Sequence, residues 1–137
     1  MQPDLASTVG GRPTMRVLLV DGHEVFRAAC RALLRTEGID VIADVPAGDE
    51  AIRAAAALRP DVVIVDVTPA DDSGFRMARR LAGLPDPPVV MLASSADRCQ
   101  FGSQLDGHRF IAKADIRAEA IAVIAQARQQ TSWLWRK

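Results

Sequence analysis

The chain has 137 residues, a length that suits one domain with a proper core. Its composition, 49% apolar and 25% charged, is that of an ordinary globular protein rather than a disordered or fibrous one. Seventeen basic residues offset seventeen acidic ones and the arginines are scattered, so no net field draws the chain to nucleic acid or to an anionic membrane.

Residues 1–14, MQPDLASTVGGRPT, have neither a basic start nor an apolar stretch, which excludes a signal peptide. Gly, Pro, Ser and Thr dominate them without periodicity, so a disordered leader is expected. The first strand is Met15–Val20. Val25, Phe26, Ala29, Leu33 and Leu34 then approach i, i+3, i+4, i+7 spacing and predict an amphipathic helix running to Gly38. Ile39–Val45 alternates weakly, as an edge strand does. Asp49–Leu58 is Ala-rich and helical, closed by Pro60, and Val62–Val65 forms the third strand. Gly74–Ala82 is a helix ended by the breaker run GLPDPP, and Val89–Leu92 is the fourth strand. Ala96–Leu105 is a poorer helix carrying Gly102, Phe110–Ala112 is the fifth strand, and Ile116–Gln129 is the last amphipathic helix. No apolar run is long enough to span a bilayer. Cys30 and Cys99 lie far apart in helix-like sequence, which argues for free thiols of a cytoplasmic protein rather than a disulfide or metal pair.

Strand and helix alternate five times, so the expected fold class is α/β, a doubly wound five-stranded parallel sheet of order 2-1-3-4-5. The crevice of such a sheet lies at the carboxyl ends of strands one and three, where the winding reverses. Residues 15–130 make up this domain. The tail 131–137, TSWLWRK, is too short for another, but Trp133 and Trp135 place two large rings there that can dock on the domain or on a partner.

Strand one ends on Asp21, strand three on Asp66, strand four on Ala93-Ser94 and strand five on Lys113. Two carboxylates and a lysine at one edge form a constellation. In "VLLVDGHEVFRAACRALL", "PDVVIVDVTPADDSG", "VVMLASS" and "FIAKAD" the chain resembles the flavodoxin-like receiver domain of two-component response regulators, and "VDGHEVFR" and "KAD" resemble most the receivers linked to LuxR-type helix-turn-helix domains. The resemblance implies a signalling domain, not an enzyme. Asp66 would accept a phosphoryl group from a histidine kinase or small donor. Asp21, Asp66 and the Thr68 backbone carbonyl would hold Mg²⁺, and Lys113 would meet the phosphoryl oxygens. It implies no nucleic-acid or membrane binding by this chain, and a homodimer through the first and last helices.

Departures from the family pattern accompany the matches. Gly22 stands where receivers carry a second acid that ligates the metal, so Mg²⁺ binding is expected to be weak. A carboxylate close to a unit charge is worth roughly 4 kcal/mol gross at an effective dielectric of about 20, before desolvation. Ala93 replaces the Thr or Ser hydroxyl that relays the phosphoryl group. Ser94 follows, but strand alternation turns it away, and it reads as a loop serine capping the next segment. The proline of the loop after the acceptor is shifted to Pro69, and Ala114 stands where a proline often follows the lysine. Phe110 matches the aromatic switch position and is equally explained as core. His23 and Glu24 open the first helix; imidazole suits softer metals than Mg²⁺, so His23 is read as structural. Asp71 and Asp72 charge-match the third helix. The alternative to a working phosphoacceptor is an atypical receiver that binds proteins without phosphorylation. An aspartate-nucleophile hydrolase would need D-x-D at the first strand, and a dinucleotide site needs glycines that DGHEVF lacks.

Overall fold

The computed structural model describes residues 8–9 and 12–125, with side chains from residue 14 onward. Two short strands, β1 (Thr8–Val9) and β2 (Arg12–Pro13), pair antiparallel within the stretch expected to be a disordered leader. Gly10-Gly11 between them is a hairpin signal that the compositional reading passed over. Residues 1–7, 10–11 and 126–137, which include the expected end of the last helix and the tail with Trp133 and Trp135, lie outside the described residues.

Five strands rich in Val, Ile and Leu then build one parallel sheet: β3 (Arg16–Val20), β4 (Asp40–Val45), β5 (Val62–Asp66), β6 (Val89–Ser94) and β7 (Arg109–Ala112). Their order is β4-β3-β5-β6-β7, all neighbours parallel, which is the expected 2-1-3-4-5 winding. Near-continuous apolar strands are what a sheet covered on both faces requires. Val17, Leu19, Val62, Ile64, Met91 and Ile111 face one layer, formed by helix α1 (Glu24–Thr36) and helix α4, described over 118–125. Leu18, Val20, Val63, Val65 and Leu92 face the other, formed by α2 (Asp49–Leu58), α3 (Ser73–Ala82) and the segment before β7.

Two expectations are corrected by packing. The inward stripe of α1 is Phe26, Cys30 and Leu34, spaced four apart, while Val25 is 85% exposed and Leu33 half-exposed. Two apolar stripes were legible in the sequence, and the sheet selects the one that Cys30 completes. The helix expected over Ala96–Leu105 is instead 3-10 helical turns over Arg98–Leu105, broken at Gly102 with φ 56° and ψ −132°. That backbone conformation is open essentially only to glycine and interrupts any α-helical ladder.

Candidate functional site

Side chains alternate along each strand, so parity decides which strand-end residues meet. Asp21 continues the face of Val17 and Leu19, Asp66 that of Val62 and Ile64, and Lys113 that of Ile111. All three therefore rise from the α1/α4 side of the carboxyl rim. β5 lies directly beside β3, and Asp66 pairs in register with Ala93 of β6. Gly74 sets the floor: a Cβ there would lie 2.4 Å from the Asp66 carbonyl oxygen and 2.8 Å from a Val67 methyl, so only glycine lets α3 start this close to the end of β5.

The three polar groups converge. Lys113 Nζ donates to Asp21 Oδ2 at 2.7 Å and to Asp66 Oδ1 at 2.9 Å, while resting 4.3 Å above the Phe26 ring. Asp21 is buried, at 4% side-chain exposure, whereas Asp66 keeps 18% and is the carboxylate a small molecule can reach. Burial pushes the Asp66 carboxyl above the usual carboxylate range, with Asp21 adding repulsion, against the opposing pull of Lys113. Asp21 is also penalised by burial, yet hydrogen bonds from Lys113 and from the His23 amide and ring hold it below the usual range. Burial alone would lower Lys113, but its bonds to both carboxylates keep it above the ordinary lysine value and charged. Cys30, behind the site, is pushed up to about 11 by burial and then by Asp21, which keeps it an inert thiol.

The other expected positions fall as follows. Gly22 is exposed, its φ is ordinary, and a Cβ there would meet nothing within 4 Å, so no steric or backbone demand requires glycine. The Ala93 methyl occupies the site's face beside Asp66. Ser94 lies on the opposite face, is buried, and its hydroxyl accepts the Ala96 amide at 3.0 Å. Phe110 also points to that opposite face, 5.6 Å from the Phe101 ring with the Arg98 guanidinium 5.5 Å above it. Thr68 and Asp71 bracket a turn over Pro69-Ala70, and the Thr68 carbonyl already accepts the Asp71 amide at 3.3 Å. Asp71 turns its carboxylate to the Ser73 amide at the start of α3, and Asp72 pairs with Arg76 and Arg79 along it.

Sequence reasoning missed two features. The first is Arg27, whose Nη1 donates to the Asp21 carbonyl at 2.6 Å and whose Nε donates to Asp44 at 3.0 Å, with Arg31 pairing to the same carboxylate. An acid set inside the apolar edge strand, facing arginines four residues apart on a helix, was the available signal. The second is His23, read as structural. Its Nδ1 stands 2.7 Å from Asp21 Oδ1 and 3.9 Å from Asp66 Oδ2, so Asp21, His23 and Asp66 form a group of ligand atoms within 4.8 Å of one another.

Receiver domains bind Mg²⁺ at an acidic pocket, and an aspartate-rich group is present here. The donor set nevertheless fits Mg²⁺ poorly. Mg²⁺ demands near-octahedral oxygen ligands. Here Gly22 stands in place of the second acid and the Thr68 carbonyl already accepts a turn hydrogen bond, so of the expected oxygen donors only Asp21 Oδ1 and Asp66 Oδ2 are not bonded to Lys113 or to that turn.

Residues 17–125 match the family model of the response regulator receiver domain. The transcriptional regulatory protein LiaR of Bacillus subtilis (strain 168) is 34% identical over 85 residues, covering 61% of this chain and 40% of LiaR. The protein-glutamate methylesterase/protein-glutamine glutaminase 2 of Anaeromyxobacter dehalogenans (strain 2CP-C) is 37% identical over 97 residues, covering 69% of this chain and 28% of that enzyme. The chain thus spans less than half the length of either relative. A LuxR-family two-component response regulator from Aurantimonas sp. SI85-9A1 superimposes with a TM-score of 0.70 at 24% identity, over 83% of this chain and 86% of the other. The NarL signal receiver domain from Mycobacterium tuberculosis does so with a TM-score of 0.62 at 24% identity, over 86% and 95%. At such identities the two structures establish the fold. The methylesterase corrects one expectation: resemblance to a receiver does not make a chain a non-enzyme, because the sequence matched there is part of an enzyme.

Proposed function

Because this chain belongs to the family of response regulator receiver domains, we propose that Asp66 accepts a phosphoryl group from a phosphohistidine of a kinase or from a small acyl phosphate. The observation that carries this reading is the single ammonium, Lys113, bonded at once to Asp21 and to Asp66. Asp66 Oδ1 forms the new P–O bond as the donor's P–N or P–O bond breaks, and the electron pair leaves with the donor. Lys113 keeps the carboxylate ionised before transfer and then exchanges its Asp66 bond for phosphoryl oxygens, while Asp21 retains its other contact. The upward pressure of burial on Asp66 makes it the more basic of the two carboxylates, which suits a nucleophile. The domain spans residues 15–130 in this reading and works in the cytoplasm; no helix among the described residues is long and apolar enough to cross a membrane.

A specific observation favours a second reading, a receiver that binds a partner without being switched. Ala93 puts a methyl beside Asp66, and the hydroxyl of the next residue, Ser94, serves the Ala96 amide on the opposite face. Intact-mass measurement after incubation with acetyl phosphate and a divalent ion separates the two. Gain of one phosphoryl group by the wild type, lost in Asp66→Asn, supports the acceptor. No gain under any divalent ion leaves the unswitched binding module.

A further inference from the structure

The two rim carboxylates divide their oxygens between two neighbours. Lys113 takes Asp21 Oδ2 and Asp66 Oδ1. The remaining pair, Asp21 Oδ1 and Asp66 Oδ2, faces the imidazole of His23, whose Nδ1 lies 2.7 and 3.9 Å from them. A cation on the His23 side therefore does not have to displace the lysine. The site charge of two carboxylates and one ammonium becomes net positive when a divalent ion enters, which suits a pocket that must receive a phosphoryl group.

The ligand chemistry on that side is two hard oxygens and one borderline nitrogen. Mg²⁺ holds its waters tightly and prefers oxygen, whereas imidazole is a good ligand for first-row transition ions. Gly22 adds no third carboxylate, and nothing stands within 4 Å of where its Cβ would be, so the approach from solvent is open. His23 immediately precedes α1, makes no capping hydrogen bond with its side chain, and is 69% exposed. Its ring instead hydrogen-bonds Asp21 Oδ1 through Nδ1 at 2.7 Å, and a metal ion held there would take the place of that proton. Its main-chain amide donates to Asp21 Oδ1 at 2.8 Å, which holds the backbone of His23 next to that oxygen.

We propose that this rim binds a divalent transition-metal ion in preference to Mg²⁺, through Asp21 Oδ1, Asp66 Oδ2 and His23 Nδ1. Ligation requires Nδ1 unprotonated, with the imidazole proton on Nε2. The inference deepens the reading of this rim as a phosphoryl acceptor and rests on it for the need of a cation there.

Mn²⁺ is the probe, because it is paramagnetic and sits at the weak-binding end of the transition series, nearest to Mg²⁺ in behaviour. Pulsed electron paramagnetic resonance of Mn²⁺ with the full chain should show ¹⁴N coupling from a directly bound imidazole, absent in His23→Ala. Calorimetry should show Mn²⁺ binding weakened about tenfold or more in His23→Ala, with Mg²⁺ binding changed less than about twofold. His23→Gln, which keeps a polar side chain of similar reach, should follow His23→Ala. A wild-type signal without nitrogen coupling, or equal losses of Mn²⁺ and Mg²⁺ affinity in His23→Ala, overturns the proposal. Phosphoryl uptake is read separately by mass. A chain that binds Mn²⁺ through nitrogen but takes up no phosphoryl group upholds this inference and overturns the acceptor reading.

Discussion

At the amino-terminal rim of the sheet, Asp61 accepts the Arg16 amide at 2.9 Å, and the Arg16 guanidinium donates to the Leu58 and Arg59 carbonyls that end α2, at 2.8 and 2.7 Å. At the carboxyl rim, Asp21 and Asp66 share Lys113. Both rims carry an aspartate and a basic side chain, yet at the amino-terminal rim Asp61 takes only a main-chain amide while the guanidinium goes to carbonyls. Arg16 neutralises orphan carbonyls of a helix end, and Asp61 is exposed, so that rim is a solvated clasp. The carboxyl rim holds two partly or fully buried acids against one ammonium, and burial together with the Asp21 charge disfavours the ionised form of Asp66. The lesson is that burial and charge count, more than residue type, separate a structural clasp from a reactive site.

The largest expected effect comes from breaking the lysine at the carboxyl rim. Lys113→Met leaves two carboxylates facing each other and should destabilise the fold by about 3 kcal/mol in denaturant unfolding at neutral pH. Asp66 binds its proton more tightly in the folded state than in the unfolded one. The penalty should therefore shrink as pH falls through the folded Asp66 value, and adding Asp66→Asn should recover most of it. Gly74→Ala, which drives a methyl against the Asp66 carbonyl, should cost about 2 kcal/mol and displace the end of β5, seen as lost phosphoryl uptake. Gly22→Asp, entering open space, should leave stability nearly unchanged and raise Mg²⁺ affinity by about tenfold or more in calorimetry. Asp66→Asn alone should stabilise the fold at neutral pH, because the carboxylate that folding disfavours is gone. The corresponding Asp21→Asn change carries the opposite sign: folding favours the Asp21 carboxylate, whose contribution exists at neutral pH and is lost as pH falls through its folded value. At the other rim, Arg16→Ala should cost no more than about 1 kcal/mol, with little pH dependence near neutrality. An equal loss at the two rims would erase the distinction.

Much of this was legible before any coordinates. Apolar runs of three or four residues leading into Asp21, Asp66 and Lys113 expose both the sheet and the rim, because strand periodicity is a local property. The switch from α-helix to 3-10 turns at Gly102 was not legible, since a lone glycine in a polar helical pattern is tolerated as often as it breaks one. The ion pairs of Arg27 and the approach of His23 to Asp66 were not legible for a different reason. Both residues lie on the first turn after β3, and their roles depend on partners at Asp66 and Asp44, which are distant in sequence. The need for Gly74 likewise arises from a carbonyl eight residues earlier that only the folded turn brings underneath it.

The central claim is that Lys113 holds Asp21 and Asp66 together at one rim and sets their acidities apart. Carboxyl-detected NMR titration of the two aspartates measures this directly in the intact chain. Asp66 should titrate above the ordinary carboxylate range and Asp21 below it, with both signals moving in Lys113→Met. Two aspartates titrating together in the ordinary range, indifferent to Lys113→Met, would contradict it.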